Sequence, residues 1–121
     1  MSIFAYNLEK LKQRQFIMTD TYIFAAKLKD VKPGKMFRVE LNGQRILLAN
    51  VDGTIHACDE MCTHEEVSLA LGALQGNCLK CSLHGSRFDL LTGKPLDEPA
   101  DEDLRIYPVK IEDGSIMVDI N

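Results

Sequence analysis

A chain of 121 residues has room for one ordinary domain, and a hydrophobic fraction of 45% is high enough to offset the entropy lost in folding it. Apolar runs such as Ile46-Leu47-Leu48-Ala49 fall far short of the roughly 20 residues that a bilayer-spanning helix needs, which excludes a helical membrane span. A formal charge of −4 disfavours nucleic acid or anionic membrane as a partner, and eight Gly with four Pro exclude a collagen-like or linker-like composition.

Residues 1–20 differ in character from the rest of the chain. Leu8 and Leu11, set among Glu9, Lys10, Lys12 and Arg14, would suit a short amphipathic helix, and Thr19-Asp20-Thr21 then punctuates the chain. The segment is expected to be a loosely ordered extension to a domain spanning residues 21–121. Met1-Ser2-Ile3-Phe4 lacks the basic start of a secretory signal, and there is no twin-arginine pair, so the expected compartment is the cytoplasm.

From Tyr22 onward the signals are those of a β protein. Tyr22-Ile23-Phe24-Ala25 is a short apolar run, and Pro33-Gly34 marks a turn. Phe37, Val39 and Leu41 alternate with Arg38 and Glu40 at the period of a half-buried strand. Asn42-Gly43 is a hairpin turn, with residues 45–49 as its return strand, and Asp52-Gly53 repeats the device to send residues 54–58 back again. Near the C-terminus residues 105–111 alternate as one strand, Asp113-Gly114 turns, and residues 115–120 return. Short strands joined by tight turns predict an all-β fold, a small antiparallel sandwich or barrel.

Residues 59–103 interrupt that pattern. They lack long periodic segments, and a loop region of that length in a compact domain needs something besides a hydrophobic core to hold it. Acidic residues crowd the stretch from Asp52 to Glu102: Asp52, Asp59, Glu60, Glu65, Glu66, Asp89, Asp97, Glu98, Asp101 and Glu102 face only Lys80, Arg87 and Lys94. A solvated acidic face is the plain reading; a docking surface for a basic partner is the functional one. All four cysteines, Cys58, Cys62, Cys78 and Cys81, fall here too, clustered in the manner of metal ligands rather than spread as in a disulfide scaffold.

Two pieces carry the chemistry: Cys62-Thr63-His64 and Cys81-Ser82-Leu83-His84, with sixteen residues between them. Each offers one soft thiolate and one imidazole, a set suited to zinc or iron. Cys and His so close in each arm suit two loops that grip a compact cluster from both sides. A four-cysteine zinc ribbon, Cys58-x3-Cys62 with Cys78-x2-Cys81, competes with that reading but leaves His64 and His84 without a role. Cys78-Leu79-Lys80-Cys81 runs into His84-Gly85 instead of opening a helix, which argues against thioredoxin-like chemistry. G-x-S-x-G and G-x-G-x-x-G are both missing, so the chain offers neither a hydrolase nucleophile nor a nicotinamide or flavin site, and any electrons must come from another protein. His56 is expected at the surface of its strand, and Glu65 and Glu66 in solvent where a partner would approach.

The sequence resembles the Rieske [2Fe–2S] proteins. The likeness includes the Thr between Cys62 and His64, Ser68-Leu69, Gly72 and Gly76, and the run His84-Gly85-Ser86-Arg87-Phe88-Asp89 with Thr92-Gly93. It continues, less specifically, through Pro99-Ala100, Leu104 and Tyr107-Pro108-Val109. It implies a Rieske-type fold with an inserted cluster-binding subdomain at about 59–103. It also implies one [2Fe–2S] cluster, with Cys62 and Cys81 on a buried iron and His64 and His84 on an outer one. On that assignment Cys58 and Cys78 are spare, and both are expected to be small buried hydrophobes.

Two neutral imidazoles in place of two thiolates leave such a cluster less negative. The family accordingly spans about −150 to +300 mV, against roughly −400 mV for all-cysteine plant-type ferredoxins. High-potential members carry a disulfide where this chain has Val67 and Leu83. They also have a hydrogen-bonding Ser, matched by Ser86, and a Tyr whose position is Phe88 here. With fewer donors to stabilise the added charge, a low potential is expected.

The resemblance implies a soluble monomeric one-electron carrier, an electron-transfer protein and not an enzyme. It would pass electrons from a flavoprotein reductase to a terminal non-haem iron oxygenase, commonly in the breakdown of aromatic compounds. Too few residues follow His84 for the oxygenase's own mononuclear iron domain. The alternatives are a small electron-transfer subunit of a nitrite-reductase-like complex and, from another class, a zinc-binding interaction module.

Overall fold

In the computed structural model of the protein, residues 21–64 and 66–121 are described. The extension expected at residues 1–20, its helix included, and Glu65 lie outside them.

Among the described residues, ten strands form three antiparallel sheets. They are β1 (Tyr22–Lys27), β2 (Met36–Leu41), β3 (Gln44–Val51), β4 (Thr54–Asp59), β5 (Ala73–Gln75), β6 (Cys78–Lys80), β7 (Arg87–Asp89), β8 (Ile106–Tyr107), β9 (Val109–Glu112) and β10 (Ser115–Asp119). The sheet orders are β1-β10-β9, β2-β3-β4-β8 and β5-β6-β7. The three dipeptides read as hairpin turns all adopt positive φ at both residues: Asn42 and Gly43 at 50° and 83°, Asp52 and Gly53 at 52° and 94°, Asp113 and Gly114 at 50° and 76°. That is the left-handed pair whose twist matches a right-twisted hairpin, and short polar Asn or Asp followed by Gly adopts it at least cost.

β3 is the wall of the molecule. Ile46, Leu47, Leu48 and Ala49 are all fully buried, because alternate side chains enter two different cores. Ile46 and Leu48 join Ala26, Leu41, Ile55, Ala57, Ile116 and Val118 between the first two sheets. Leu47 and Ala49 face the other way, packing with Cys58 of β4 and with Leu69, Leu79, Phe88, Leu90 and Leu104 from the third sheet and the loops around it. Asn50 ends the run with its polar groups satisfied: its Nδ2 donates to the Val31 carbonyl at 2.7 Å and its Oδ1 accepts from Gly53 N–H at 2.7 Å. Those bonds make a buried amide tolerable.

Two expectations need correction. Residues 105–111 are not one strand. Pro108 lacks an N–H, and the chain changes sheets there, from β8 beside β4 to β9 beside β10. Residues 59–103 are not all loop, since they contain the β5-β6-β7 sheet, whose strands of three residues are too short to show a period.

Candidate metal centre

The two arms read from the sequence are two loops of like construction. In the first, Cys62 N–H donates to the Val67 carbonyl at 3.0 Å; in the second, Cys81 N–H donates to the Ser86 carbonyl at 2.8 Å. Each cysteine thus closes its own loop with the residue five positions on, and its histidine rides on the loop's outer part. The consequence is a sorted site. Cys62 is 6% exposed and Cys81 2%, whereas His64 and His84 are both exposed, with ring centroids 5.4 Å apart and planes at 67°. The two cysteines are buried in one core, and the two imidazoles sit against each other at the surface. Among the described residues no three Cys, His, Asp or Glu side chains are grouped to hold one ion. A binuclear cluster asks for only two protein ligands at each iron, so this arrangement fits it in donor type, number and depth.

The second arm is a hairpin between β6 and β7, with Leu79 opposite Phe88 in its ladder and both side chains fully buried. The first arm leaves β4, crosses one bridge between Met61 and Ser68, and ends in a 3-10 turn, Leu69–Leu71, whose Ser68 side chain accepts from Ala70 N–H at 3.1 Å. Gly72 lets that turn press against the second arm: a Cβ there would lie 1.8 Å from the Lys80 carbonyl oxygen, closer than any side chain allows.

A third segment, which the sequence did not mark as support, ties into both arms. Thr63 Oγ1 donates to the Glu102 carbonyl at 2.9 Å, and Ala100 N–H donates to Ser86 Oγ at 3.2 Å. Arg87 grips Asp97 through its backbone N–H at 3.2 Å, Nε at 2.6 Å and Nη2 at 3.2 Å. That fork holds the Asp97 carboxyl below its ordinary range and raises Arg87.

Several side chains depart from expectation. His56 is 8% exposed and not at the surface, because β4 is covered on both faces; burial lowers its pKa, with Asp89 opposing. Cys58 is buried as expected, and burial with the adjacent Asp59 carboxylate pushes its thiol up to about 12, the state of an apolar filler rather than a thiolate ligand. Cys78, expected buried, is only half-buried at the start of β6. Glu60, one of the acids crowded into the middle of the sequence, is 2% exposed and takes hydrogen bonds from Ser68, Arg45 and Arg38. Burial raises its pKa, and those three donors more than reverse the effect. Of the acids crowded there, Asp52, Glu66, Glu98, Asp101 and Glu102 are exposed; Glu66 lies in the first arm, and the Asp101–Glu102 segment meets it through Thr63. Arg45, Met61, Cys62, Thr63, His64 and Glu66 line an open cleft.

The chain belongs to the Rieske [2Fe–2S] family: it matches that domain over residues 21–108. Within the family it is similar to ferredoxins of dioxygenase systems. The ferredoxin component of naphthalene 1,2-dioxygenase/salicylate 5-hydroxylase systems from Ralstonia sp. is 43% identical over 101 residues, covering 84% of this chain and 97% of that one. The ferredoxin of carbazole 1,9a-dioxygenase from Nocardioides aromaticivorans IC177 superposes with a TM-score of 0.80 at 27% identity, over 84% of this chain and all of that one. A ferredoxin seen in complex with the reduced oxygenase of carbazole 1,9a-dioxygenase gives a TM-score of 0.77 at 27% identity, over 84% and 94%. Membership fixes the cofactor class as a Rieske-type [2Fe–2S] cluster and sets aside the zinc-binding module.

Proposed function

We propose that Cys62 and Cys81 hold the inner iron of the cluster and His64 and His84 the outer one. The chain is a Rieske electron carrier, the ferredoxin component of a dioxygenase system and not the oxygenase. In this reading its electrons come from a flavoprotein reductase and go to a terminal oxygenase acting on an aromatic compound. It works as a monomer in the cytoplasm. Among the described residues, no helix is long and apolar enough to cross a membrane.

The observation that carries the reading is the sorting of donors by depth, thiols buried and imidazoles exposed 5.4 Å apart. When bound, the cluster takes up and gives back one electron. The protein's part is to shield and to aim. Leu69, Leu79 and Phe88, each fully buried, keep water from the thiolate side. On the other side the exposed imidazoles give the electron a short path to a docked partner, and Leu83, 60% exposed beside His84, adds apolar surface at that tip. Glu66, Asp101 and Glu102 lend the same end a negative field that favours a basic partner surface.

An absorption and EPR spectrum of the purified protein, before and after dithionite, tests the assignment. The oxidised protein is expected to be red-brown with two irons per chain, and the reduced one to show mixed nitrogen–sulfur ligation. His64→Ala and His84→Ala are each expected to lose iron. Colourless, iron-free material, or iron retained when both histidines are replaced, would refute it.

A further inference from the structure

Glu60 stands where β4 passes into the first arm, and every hydrogen-bonding group it has is directed at that junction. Its N–H donates to the Arg45 carbonyl at 3.2 Å, and its carbonyl accepts from Leu69 N–H at 2.7 Å. Its carboxylate accepts from Ser68 Oγ at 2.6 Å, Arg45 Nε at 3.3 Å and Arg38 Nη1 at 3.4 Å. The side chain is 3% exposed. A carboxylate at that depth is costly unless charged and polar partners surround it, and an apolar residue would fill the space more cheaply. The partners also lie in different places. Ser68 and Leu69 are the far end of the arm, Arg45 is on β3 and Arg38 on β2.

The arms differ in what holds their necks. The second continues into the paired strands β6 and β7, so a ladder sets its spacing. The first has β4 on one side and a 3-10 turn on the other, with the single Met61–Ser68 bridge between them. Glu60 and Leu69 flank that bridge directly. Beside the Cys62–Val67 bond, Glu60 therefore supplies the cross-link at the base of the arm that a longer ladder would otherwise provide, and anchors it to two strands of the main sheet.

We propose that Glu60 is a positioning residue for the cluster: by binding Ser68 and Leu69 on one side and Arg45 and Arg38 on the other, it fixes where Cys62 and His64 stand opposite the second arm. The inference rests on the proposed assignment of Cys62, Cys81, His64 and His84 as ligands. It is tested on the holoprotein with Glu60→Gln, which keeps the size but loses the charge, and with Ser68→Ala and Ser68→Thr. The readouts are the rate of iron release to an added chelator and the EPR line shape of the reduced protein.

Glu60→Gln and Ser68→Ala are expected to release iron about tenfold faster, the effect of losing a hydrogen bond to a charged group, and to broaden or shift the EPR lines. Ser68→Thr keeps the hydroxyl, and with it both the bond to Glu60 and the cap on Ala70 N–H, and is expected to stay near wild type. Arg38→Met, which removes a partner of Glu60 and leaves that cap intact, is expected to speed iron release, which a capping role alone would not give. If Glu60→Gln does not fold, Arg38→Met together with the Ser68 pair decides. Wild-type release rates and line shapes in Glu60→Gln and Ser68→Ala would overturn the proposal. His64→Ala separates the two readings. Loss of its Rieske-type signal alongside unchanged Glu60 and Ser68 variants overturns the anchor alone, while retention of that signal overturns the ligand assignment and the anchor with it.

Discussion

Replacing Ser86 with Ala removes one oxygen from a position that is 1% exposed, and it perturbs two properties that can be measured separately. The first is stability. Ser86 Oγ accepts the N–H of Ala100, itself 5% exposed, at 3.2 Å; without that oxygen the amide is left buried and unpaired. The cost is about 1–3 kcal/mol, and at roughly 4–8 °C per kcal/mol for a domain near this size the melting temperature should fall by about 4–24 °C. The second is the potential. With its oxygen engaged as an acceptor, the hydroxyl keeps its proton to donate; donated to the cluster, the role the family resemblance implies for this Ser, it would stabilise the reduced state more than the oxidised one. A difference of about 1 kcal/mol between the two states corresponds to roughly 40 mV for one electron, so Ser86→Ala should lower the midpoint by about that much. Thermal melts followed by circular dichroism give the first quantity and a dithionite titration the second. Ser86→Thr, which keeps the hydroxyl, is the control. A melting point that falls while the midpoint stays within about 10 mV of wild type would show that the hydroxyl serves Ala100 alone, and the redox reasoning would fail.

Phe88→Tyr supplies the donor that high-potential relatives have; at a fully buried site the new hydroxyl should raise the midpoint by about 40 mV, and a titration showing no rise would mean that the donor geometry is not reproduced. Cys58→Ala should cost about 1 kcal/mol in thermal unfolding for the atom lost from the core and leave the iron content unchanged, whereas loss of metal would revive a ribbon-like use of that thiol. Reduction by a partner, followed by stopped flow, should slow as salt rises, because Glu66, Asp101 and Glu102 lie exposed at the imidazole end; a rate indifferent to ionic strength would rule out steering by these carboxylates.

What the sequence revealed depended on how local the determinant was. Asn42-Gly43, Asp52-Gly53 and Asp113-Gly114 were legible because a turn is decided by the residues that form it, and so was the spacing of Cys62, His64, Cys81 and His84. The break at Pro108 was hidden by a side-chain alternation that runs on unchanged while the backbone moves to another sheet. His56 looked like a surface residue because period-2 reasoning gives a strand one wet face. In β4 the side chains of Ile55 and Ala57 enter one core and that of Cys58 the other. Glu60 was hardest to see. Among neighbours such as Asp59, Glu65 and Glu66 it adds to a charge count, and its role depends on Arg38 and Arg45, which only the sheet brings close.

The two cores divide the work of the molecule. The first, between β1-β10-β9 and β2-β3-β4-β8, contains neither arm's cysteine and holds the sandwich together. The second includes Cys62 and Cys81 themselves, packed with Leu69, Leu79, Phe88 and Leu90 against the outer face of β3. The thiols are therefore part of the packing that makes their own pocket, and their distance from solvent follows from core formation rather than from a separate lid. The histidines are carried on short loops beyond that packing, so they reach the surface without breaching it. Burial of one pair and exposure of the other are thus a single consequence of where each loop crosses the edge of the second core.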